Sequence, residues 1–301
     1  MSIKYNKGFR KKLTAITESL SNIGSSFMSL LYMVVLSSNK VARQGRKEMC
    51  GEKSRGCCVL GNGPSLKSAL DHGEVRIEGN DVVCVNLFCL SEYFDVIKPQ
   101  YYFLADVGFF APRNERHEKM VDKLIGGLNK VSWPMTLIIP SVIPVGARLL
   151  SSLKNNHIRI IKINTTRIDG FRGFCHHYYN RQMAVPQCEN ILGVVLTKVV
   201  SWNYKNIYLY GADHSWTKDL FVDDDNVVCY GDRHVYDTNL SIVKMNHPLW
   251  VELRSFTIVF KAHMKIQEYA KTKGCNIYNC TKGSFIDAYP REQTIHEIIT
   301  K

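Results

Sequence analysis

Short apolar runs alternate with longer amphipathic stretches from residue 57 to the end of the chain. Asn190–Trp202 and Trp250–Lys273 carry apolar residues at helical spacing, and Gly274 ends the second. The runs that predict strands are Cys57–Leu60, Asp81–Leu87, Tyr101–Leu104, Met135–Ile139, Ile158–Ile163, Ile207–Tyr210 and Cys275–Asn279. This alternation predicts parallel strands joined by right-handed crossovers, and the apolar strand runs predict a sheet covered on both faces. We therefore expect an α/β fold: a mostly parallel, Rossmann-like sheet with helices on both faces, plus an N-terminal helical appendage.

Residues 1–55 are expected to form a basic, amphipathic helical segment ahead of a catalytic domain at 56–301. Within it we predict a helix over Phe9–Leu20, a Ser/Gly break and an apolar stretch, Phe27–Leu36. That stretch is shorter than the roughly 20 residues of a spanning helix, and it begins late for a signal peptide. Two interpretations stay open. The segment is either an interfacial helix with basic flanks or a helix packed on the domain or on a second subunit.

The charge of the chain is concentrated at its N-terminal end. The formal net charge is +12, and residues 1–55 hold eleven basic but only three acidic side chains. Such a segment attracts polyanions. Because no nucleic-acid-binding motif accompanies it, we expect an anionic membrane surface as partner and no nucleic acid.

The ten cysteines include no C-x-x-C pair, so neither a metal site nor a disulfide scaffold is indicated. We expect reduced thiols and a cytoplasmic protein. With 45% hydrophobic and 22% charged residues, the composition is that of an ordinary globular domain and excludes a disordered chain.

Polar residues follow the predicted strands at their carboxyl ends, where open parallel sheets bind ligands. We therefore expect these residues to border one cavity: Gly61–Ser65, Asn86, Asp106, Asp213, His214 and Asn279–Ser284.

The loop Gly61-Asn62-Gly63-Pro64-Ser65 is the first candidate site. Two glycines permit a tight turn close to a ligand, Ser65 is expected to cap the next helix, and that helix offers N–H groups to a phosphate. The Asn62 amide suits a base or a ribose. The loop is neither a P-loop nor a dinucleotide-binding fingerprint.

Further candidates follow along the chain. Asp213 and His214 place a carboxylate beside an imidazole, which suits acid–base work. Asp223–Asp225 is either a metal site for Mg²⁺ or a solvated turn. His234 and Tyr236 could reach a leaving phosphate. His247 precedes the last long helix, whereas His263 lies on that helix's apolar side and is expected in the core.

The run VLGNGPSLK, Asn86, the segment Asn203–Leu209 and Gly211-Ala212-Asp213 resemble bacterial CMP-sialic-acid-dependent sialyltransferases that decorate lipooligosaccharide. The G-N-G-P-S loop is also similar to that of a broader surface-polysaccharide group that includes 6-hydroxymethylpterin pyrophosphokinase. In element order the resemblance covers roughly 57–291. It implies a Rossmann-like variant of the GT-A fold.

The resemblance also implies site roles. Gly61, Asn62, Gly63, Pro64, Ser65 and Asn86 would hold the cytidine nucleotide. Asp106 stands where the family prefers Asn, and Asn190 to Gly193 where it has a Thr/Ser-Gly pair. After Asp213 the family has two tyrosines, whereas this chain has His214, Ser215 and Trp216, with His234 and Tyr236 further on. His247 is chosen over His263 as the general base.

The implied activity is an inverting transfer of a sugar from a CMP-linked donor to a lipopolysaccharide, O-antigen or capsule acceptor, free or lipid-linked. No cofactor is expected, although stimulation by Mg²⁺ stays open. The enzyme would work peripherally at the inner face of the bacterial cytoplasmic membrane, as a monomer or a homo-oligomer. The alternatives are an ATP-dependent pterin diphosphokinase that needs Mg²⁺, a non-catalytic nucleotide- or polysaccharide-binding module, and a nucleic-acid-binding protein suggested by charge alone.

Overall fold

A computed structural model describes residues 7–49, 55–232, 235 and 241–291. The strands are β1 Cys57–Leu60, β2 Asp81–Val85, β3 Tyr101–Phe103, β4 Met135–Pro140, β5 Ile158–Ile163, β6 Arg167–Ile168, β7 Val185–Pro186, β8 Asn206–Tyr210, β9 Leu220–Val222, β10 Val228–Asp232, β11 Ser241–Lys244 and β12 Asn276–Asn279. The α-helices are α1 Lys7–Leu36, α2 Asn39–Glu48, α3 Ser65–Asp71, α4 Phe94–Ile97, α5 Glu115–Asn129, α6 Arg148–Ser152, α7 Arg172–Asn180, α8 Ile191–Ser201 and α9 Leu249–Lys273.

Seven strands form the central sheet in the order β12-β8-β1-β2-β3-β4-β5, and every neighbouring pair is parallel. The chain runs outward from β1 to β5 and then returns to the other side of β1 with β8. The strand order therefore reverses beside β1, which is where an open sheet of this kind forms a ligand crevice. The predicted parallel α/β fold is confirmed.

Two apolar layers cover the sheet. Alternate strand residues point to opposite faces, so Val59 and Val83 join the layer under α8 and α9, whereas Leu60 and Cys84 join the layer under α3 and α5. All four residues of β1 are buried. The strands are apolar at successive positions because both of their faces are covered.

The pattern of the sequence did not reveal the smaller elements. A three-stranded antiparallel sheet, β9-β10-β11, follows the Asp213 loop, and β6 pairs with β7 as a separate parallel pair. These strands are only two to five residues long, which is too short for a recognisable period in the sequence. Helix α5 is amphipathic and buries only Val121, Leu124 and Leu128. Its apolar pattern in the sequence is therefore weaker than that of α8, most of whose residues are buried.

The N-terminal segment differs from its prediction. The expected Ser/Gly break is wrong, because α1 runs without interruption through Ser21–Ser26. Serines bind this segment to the body by hydrogen bonds: Ser29 Oγ of α1 donates to Asp169 O at 2.8 Å, and Ser37 Oγ, just after α1, donates to Met183 O at 2.8 Å. Met33 and Met49 are buried in the same apolar layer as β1.

Within α1, Lys12–Leu36 is long and apolar enough to cross a membrane, with a mean hydropathy of 1.4. It is the only such helix in the described part of the chain. Length and composition alone are weak grounds for a span, so the finding concerns the helix and not its location. The ten-residue stretch that appeared too short is therefore the end of a longer apolar helix.

Lys198 lies on α8 in the interior, and only 1% of its surface is exposed. Its ammonium has one long contact, to Gln182 O at 3.4 Å. Because charge is poorly solvated there, burial lowers the pKa of Lys198 from its usual 10.5 to about 7. Folding at neutral pH therefore releases a proton from this side chain.

We expect the free energy of unfolding to rise with pH between about 7 and 8.5, by up to about 1.4 kcal/mol per pH unit. The reason is that the unfolded chain still holds a Lys198 proton that the folded chain has lost. Lys198→Met should flatten this slope and raise the melting temperature near pH 7. Urea unfolding at several pH values measures it. Lys261→Met, at an exposed position of α9, is the matched control, and an unchanged slope in Lys198→Met would contradict the assignment.

Candidate active site

A cleft of about 510 Å³ opens at the carboxyl edge of the sheet, beside the reversal of strand order. Loops after β1, β2, β3 and β8 and the start of α8 form its walls. Predicted site residues that line it are Gly61, Asn62, Gly63, Pro64, Asn86, Asp106, Asn190, Asp213 and His214. The expected convergence is therefore present for these residues. Ser65 and Asn279–Ser284, which were also expected there, do not line the cleft, and Asn279 to Gly283 line a different pocket.

The glycines of the first loop pack against the end of β8. Gly61 N donates to Tyr210 O at 2.8 Å and Gly63 N to Gly211 O at 2.9 Å. A Cβ on Gly61 would lie 2.4 Å from Gly211 O. The glycines are needed for the contact between two backbone segments, and their N–H groups are already used. The expectation that they free the backbone for a ligand is corrected accordingly.

Asp213 occupies the start of α3, where a phosphate was expected. Its Oδ2 accepts a hydrogen bond from Ser65 Oγ at 2.8 Å, and its Oδ1 accepts one from Ser65 N at 3.3 Å. The Ser65 side chain is not the cap of its own helix, because that position is taken by Pro64 without a side-chain bond. Burial raises the pKa of Asp213 above its usual value, while the bonds from Ser65 oppose that rise. Asp213 thus fixes the loop rather than a ligand.

Two asparagines present unsatisfied oxygens beside the cleft. Asn62 Nδ2 donates to Val85 O at 3.2 Å, whereas the buried Oδ1 has no partner among the described residues. Asn86 Oδ1 is also buried and has no hydrogen-bond partner among the described residues. Asn86 also adopts a left-handed backbone, with φ of 51°, a conformation that asparagine tolerates better than most residues. A buried acceptor without a donor costs free energy, so both groups are suited to a ligand with N–H or O–H donors.

His214 belongs to a buried pair of imidazoles. Its Nε2 lies 3.1 Å from Nε2 of His263, and His263 Nδ1 lies 2.9 Å from the Tyr289 hydroxyl. Burial, with the nearby His263, holds the pKa of His214 well below 6.5, and burial lowers the pKa of His263 to about 3. Both rings are therefore neutral at physiological pH, and one proton is shared between the two facing nitrogens.

The hydrogen bonds select one tautomer of this pair. The buried Tyr289 hydroxyl has His263 as its acceptor among the described residues, so its proton points to His263 Nδ1. His263 then carries its proton on Nε2 and donates it to His214 Nε2. His214 is left with the proton on Nδ1. With this tautomer His214, which lines the cleft, has a neutral ring whose Nε2 already accepts a hydrogen bond.

Helix α8 begins at the cleft. Asn190 Oδ1 accepts from Leu192 N at 2.8 Å and caps the helix, while Asn190, Ile191 and Leu192 line the cavity. The positive end of the α8 dipole therefore faces the site. Gly193 does not line it, contrary to the expectation. A Cβ on Gly193 would lie 2.5 Å from the Cys188 Cβ, so this glycine serves internal packing.

Asp223 and His247 are placed elsewhere, and neither lines the described cleft. Asp223 Oδ1 accepts from Val227 N at 2.8 Å and its Oδ2 contacts Lys244 Nζ at 3.2 Å, so this carboxylate stabilises the β9–β10 turn. His247 Nε2 lies 2.7 Å from Glu252 Oε2. No cluster of three metal-ligating side chains occurs among the described residues.

His234 and Tyr236 lie outside the described residues. Val235, between them, is buried and donates its N–H to Asn62 O at 2.9 Å.

Some lining residues were not anticipated. Asp219 and Trp216 belong to the loop after β8, and Trp216 stacks on Phe256 of α9 with ring centroids 5.5 Å apart. Tyr289 was missed because a lone tyrosine near the end of a chain carries no sequence signal. His263 was correctly expected in the core, but its contact with His214 depends on folding.

We expect Gly63→Ala to disrupt the site, because its Cβ would fall 1.9 Å from Asp213 Oδ2 and 2.7 Å from Gly211 O. The Ser65–Asp213 bonds must then break, with a loss of about 1–3 kcal/mol in unfolding free energy. Gly126→Ala in α5, with no atom within 4 Å of the added carbon, is the control and should be neutral or stabilising. Urea denaturation compares them, and equal stabilities would refute the proposed close approach.

No protein-family model and no curated protein matches this chain. A solved structure, the MAf glycosyltransferase from Magnetospirillum magneticum AMB-1, aligns with it at a TM-score of 0.48 and 10% identity. The alignment covers 85% of this chain and 38% of the other, so the chain spans well under half the length of that protein.

Proposed function

We propose that this protein is a glycosyltransferase that takes a sugar from a nucleotide-linked donor, and that the donor is CMP-linked. The observation that carries the proposal is the pair of buried amide oxygens of Asn62 and Asn86, in the loops that follow β1 and β2, which have no partner among the described residues. A pyrimidine amino group and ribose hydroxyls supply the donors that these acceptors lack. The earlier resemblance to CMP-sialic-acid-dependent enzymes points to the same class.

The charge of the cleft favours a donor with a single phosphate. Asp106, Asp213 and Asp219 line it, and no lysine or arginine does so among the described residues. A nucleoside diphosphate would bring more negative charge into this surrounding than a monophosphate. The Nδ1–H of His214 and the N-terminus of α8 are neutral groups that can bind one phosphate.

The reaction proposed is an inverting displacement. The bond between the anomeric carbon and the phosphate oxygen opens through an oxocarbenium-like state, and His214 donates a hydrogen bond to the departing oxygen as its charge grows. An acceptor hydroxyl attacks from the other side and gives its proton to a base. His247, Asp106 and the undescribed His234 and Tyr236 are the candidates for proton transfer and for phosphate binding; of these, Asp106 lines the cleft.

The pterin diphosphokinase alternative needs a magnesium site for a triphosphate. The acids expected to form it, Asp223–Asp225, belong to the β9–β10 turn, and Asp223 is bound to Lys244. We therefore retain the sugar transfer as the primary function, and we place it at the inner face of the bacterial cytoplasmic membrane, with surface lipopolysaccharide, O-antigen or capsule glycans as its product class.

A ligand that binds only the folded state raises its melting temperature. We expect CMP to raise it more than CDP, UDP, GDP or ATP do, each tested with and without Mg²⁺. At a hundredfold excess over the dissociation constant the gain is about 2.7 kcal/mol, which corresponds to a shift of roughly 4–5 °C for a chain of this length. Thermal shift measures it. Asn62→Ala should weaken the CMP effect, whereas Asn276→Ala, whose exposed amide bonds only Asn206, should not. A larger effect of ATP with Mg²⁺ would favour the diphosphokinase.

His214→Asn tests the donor role of the imidazole. Asparagine tolerates the left-handed backbone at this position, where φ is 49°, but its shorter amide withdraws the N–H from the cleft. We expect CMP release from a CMP-linked sugar to slow about 100-fold, since one donor to a developing oxyanion is lost. CMP affinity, measured calorimetrically, should change far less. His157→Asn, at an exposed position, is the control. Equal losses of CMP binding and of turnover would show that His214 contacts the bound nucleotide without stabilising the transition state.

A further inference from the structure

Helix α1 has an inverted distribution of polar and apolar side chains. Two serines in its second half face the body of the protein: Ser26 Oγ accepts from Phe171 N at 3.1 Å, and Ser29 is 4% exposed. Its opposite face is apolar and open to solvent, with Val34 and Val35 more than three-quarters exposed. The exposed apolar side chains are Leu13, Ile16, Leu20, Ile23, Phe27, Met28, Leu30, Leu31, Tyr32, Val34, Val35 and Leu36. A contiguous face of this kind marks a surface that contacts a partner.

The charge around this face is that of a membrane-binding segment. Residues 19–38 contain no charged side chain, while basic residues precede them at Lys7–Lys12 and follow them at Lys40–Lys47. A helix with an apolar outer face and cationic flanks suits an anionic lipid interface.

The end of α1 also forms the wall of a second cavity, of about 820 Å³, which we call the side cavity. Tyr32 and Leu36 line it from α1, and Val142 lines it from the loop after β4. Hydroxyl and amide groups also line it, at Thr165, Thr166 and Gln187. The charged side chains of Arg167 and Glu189 belong to the lining as well. Its size and mixed lining fit a sugar headgroup with the first part of an attached apolar chain.

The side cavity adjoins the donor cleft. Four residues line both: Asn86, Asp106, Asn190 and Ile191. Of these, Asp106 is the only ionisable one. Its Oδ1 accepts from Gly108 N at 2.8 Å, which orients the carboxylate and leaves Oδ2 available at the junction.

We propose that the side cavity is the acceptor site, and that the acceptor is a membrane lipid with a hydroxylated sugar headgroup. This rests on the proposed function for the donor. The outer face of α1 lies in the lipid interface, so that the headgroup enters the cavity past Tyr32 and Leu36. The acceptor oxygen bonds to the anomeric carbon as the carbon–phosphate-oxygen bond breaks. The bonding pair leaves with the phosphate of CMP, and the hydroxyl proton passes to Asp106.

A second copy of the chain is the rival occupant of the α1 face. Leu13, Ile16, Leu20, Ile23, Phe27, Leu30 and Val34 alternate at spacings of three and four, as in paired helices. However, exposed Met28, Leu31 and Val35 widen the face beyond a single seam in the last turns. Charged residues that would flank a coiled-coil seam are lacking between residues 19 and 38. These features favour the lipid surface.

The cavity is tested with octyl glucoside below its micelle concentration and with methyl glucoside, which shares the headgroup but lacks the chain. We expect the octyl compound to bind wild type at least about tenfold more tightly. Val142→Trp should fill the cavity and weaken that binding about tenfold or more. Val145→Trp, in the same loop but fully exposed and outside the cavity lining, should leave it unchanged. No binding to wild type, or equal binding by the two variants, overturns the acceptor site.

The membrane part is tested by sedimentation with phosphatidylcholine vesicles that contain phosphatidylglycerol. The double variant Val34→Glu/Val35→Glu should remain in the supernatant, whereas Val96→Glu/Ile242→Glu, equally exposed positions elsewhere, should sediment like wild type. Retained vesicle binding by the first variant contradicts the role of α1. A wild-type dimer in light scattering that this variant converts to monomer assigns the face to a second copy.

The CMP thermal shift is measured in every variant to separate the two proposals. If CMP has no effect on wild type but octyl glucoside binds as expected, the donor proposal fails and the cavity assignment stands. If CMP stabilises all variants but Val142→Trp and Val145→Trp bind octyl glucoside equally well, only the acceptor proposal fails.

Discussion

The close approach of the β1 loop to the end of β8 governs the architecture of the site. Two backbone segments meet there without side chains between them, since Gly61 and Gly63 donate to the carbonyls of Tyr210 and Gly211. The space left by the absent Cβ atoms admits the Asp213 carboxylate, which binds Ser65. This contact joins the two halves of the sheet at its point of reversal. The position of every cleft residue on the β1, β2 and β8 loops depends on it.

Two consequences follow for the chemistry. Asp213 accepts the hydrogen bonds at the start of α3, so the proposed function assigns phosphate binding to α8 and His214 and not to the glycine loop. The cleft has no lysine or arginine among its described lining residues, and its polar groups are amides, an imidazole and the carboxyl groups of Asp106, Asp213 and Asp219. A site of this kind orients a ligand by hydrogen bonds more than by charge. Its strongest interactions occur where burial excludes water from the groups concerned.

Helix α1 connects this chemistry to the outer surface. Its serines bind the body of the protein through backbone groups near Asp169, and its apolar side chains face outward. The same helix contributes Tyr32 and Leu36 to the side cavity. The N-terminal segment, which the sequence presents as an appendage, thus forms part of the wall of the side cavity, and this cavity adjoins the cleft. A lipid surface on α1 would therefore lie beside the side cavity.

The sequence by itself determined the parallel α/β class, the seven central strands, α8, α9 and the set of strand-end residues around the cleft. These follow from local period and from the rule that parallel strands end at one edge. It did not determine the continuity of α1, the capping of α3 by Asp213, the His214–His263–Tyr289 chain or the packing role of Gly193. The capping of α3 and the imidazole chain depend on which distant residues meet, 148 positions apart for Ser65 and Asp213. Only the tertiary structure decides such contacts, because hydrogen bonding and burial act between neighbours in space, which the order of residues along the chain does not specify.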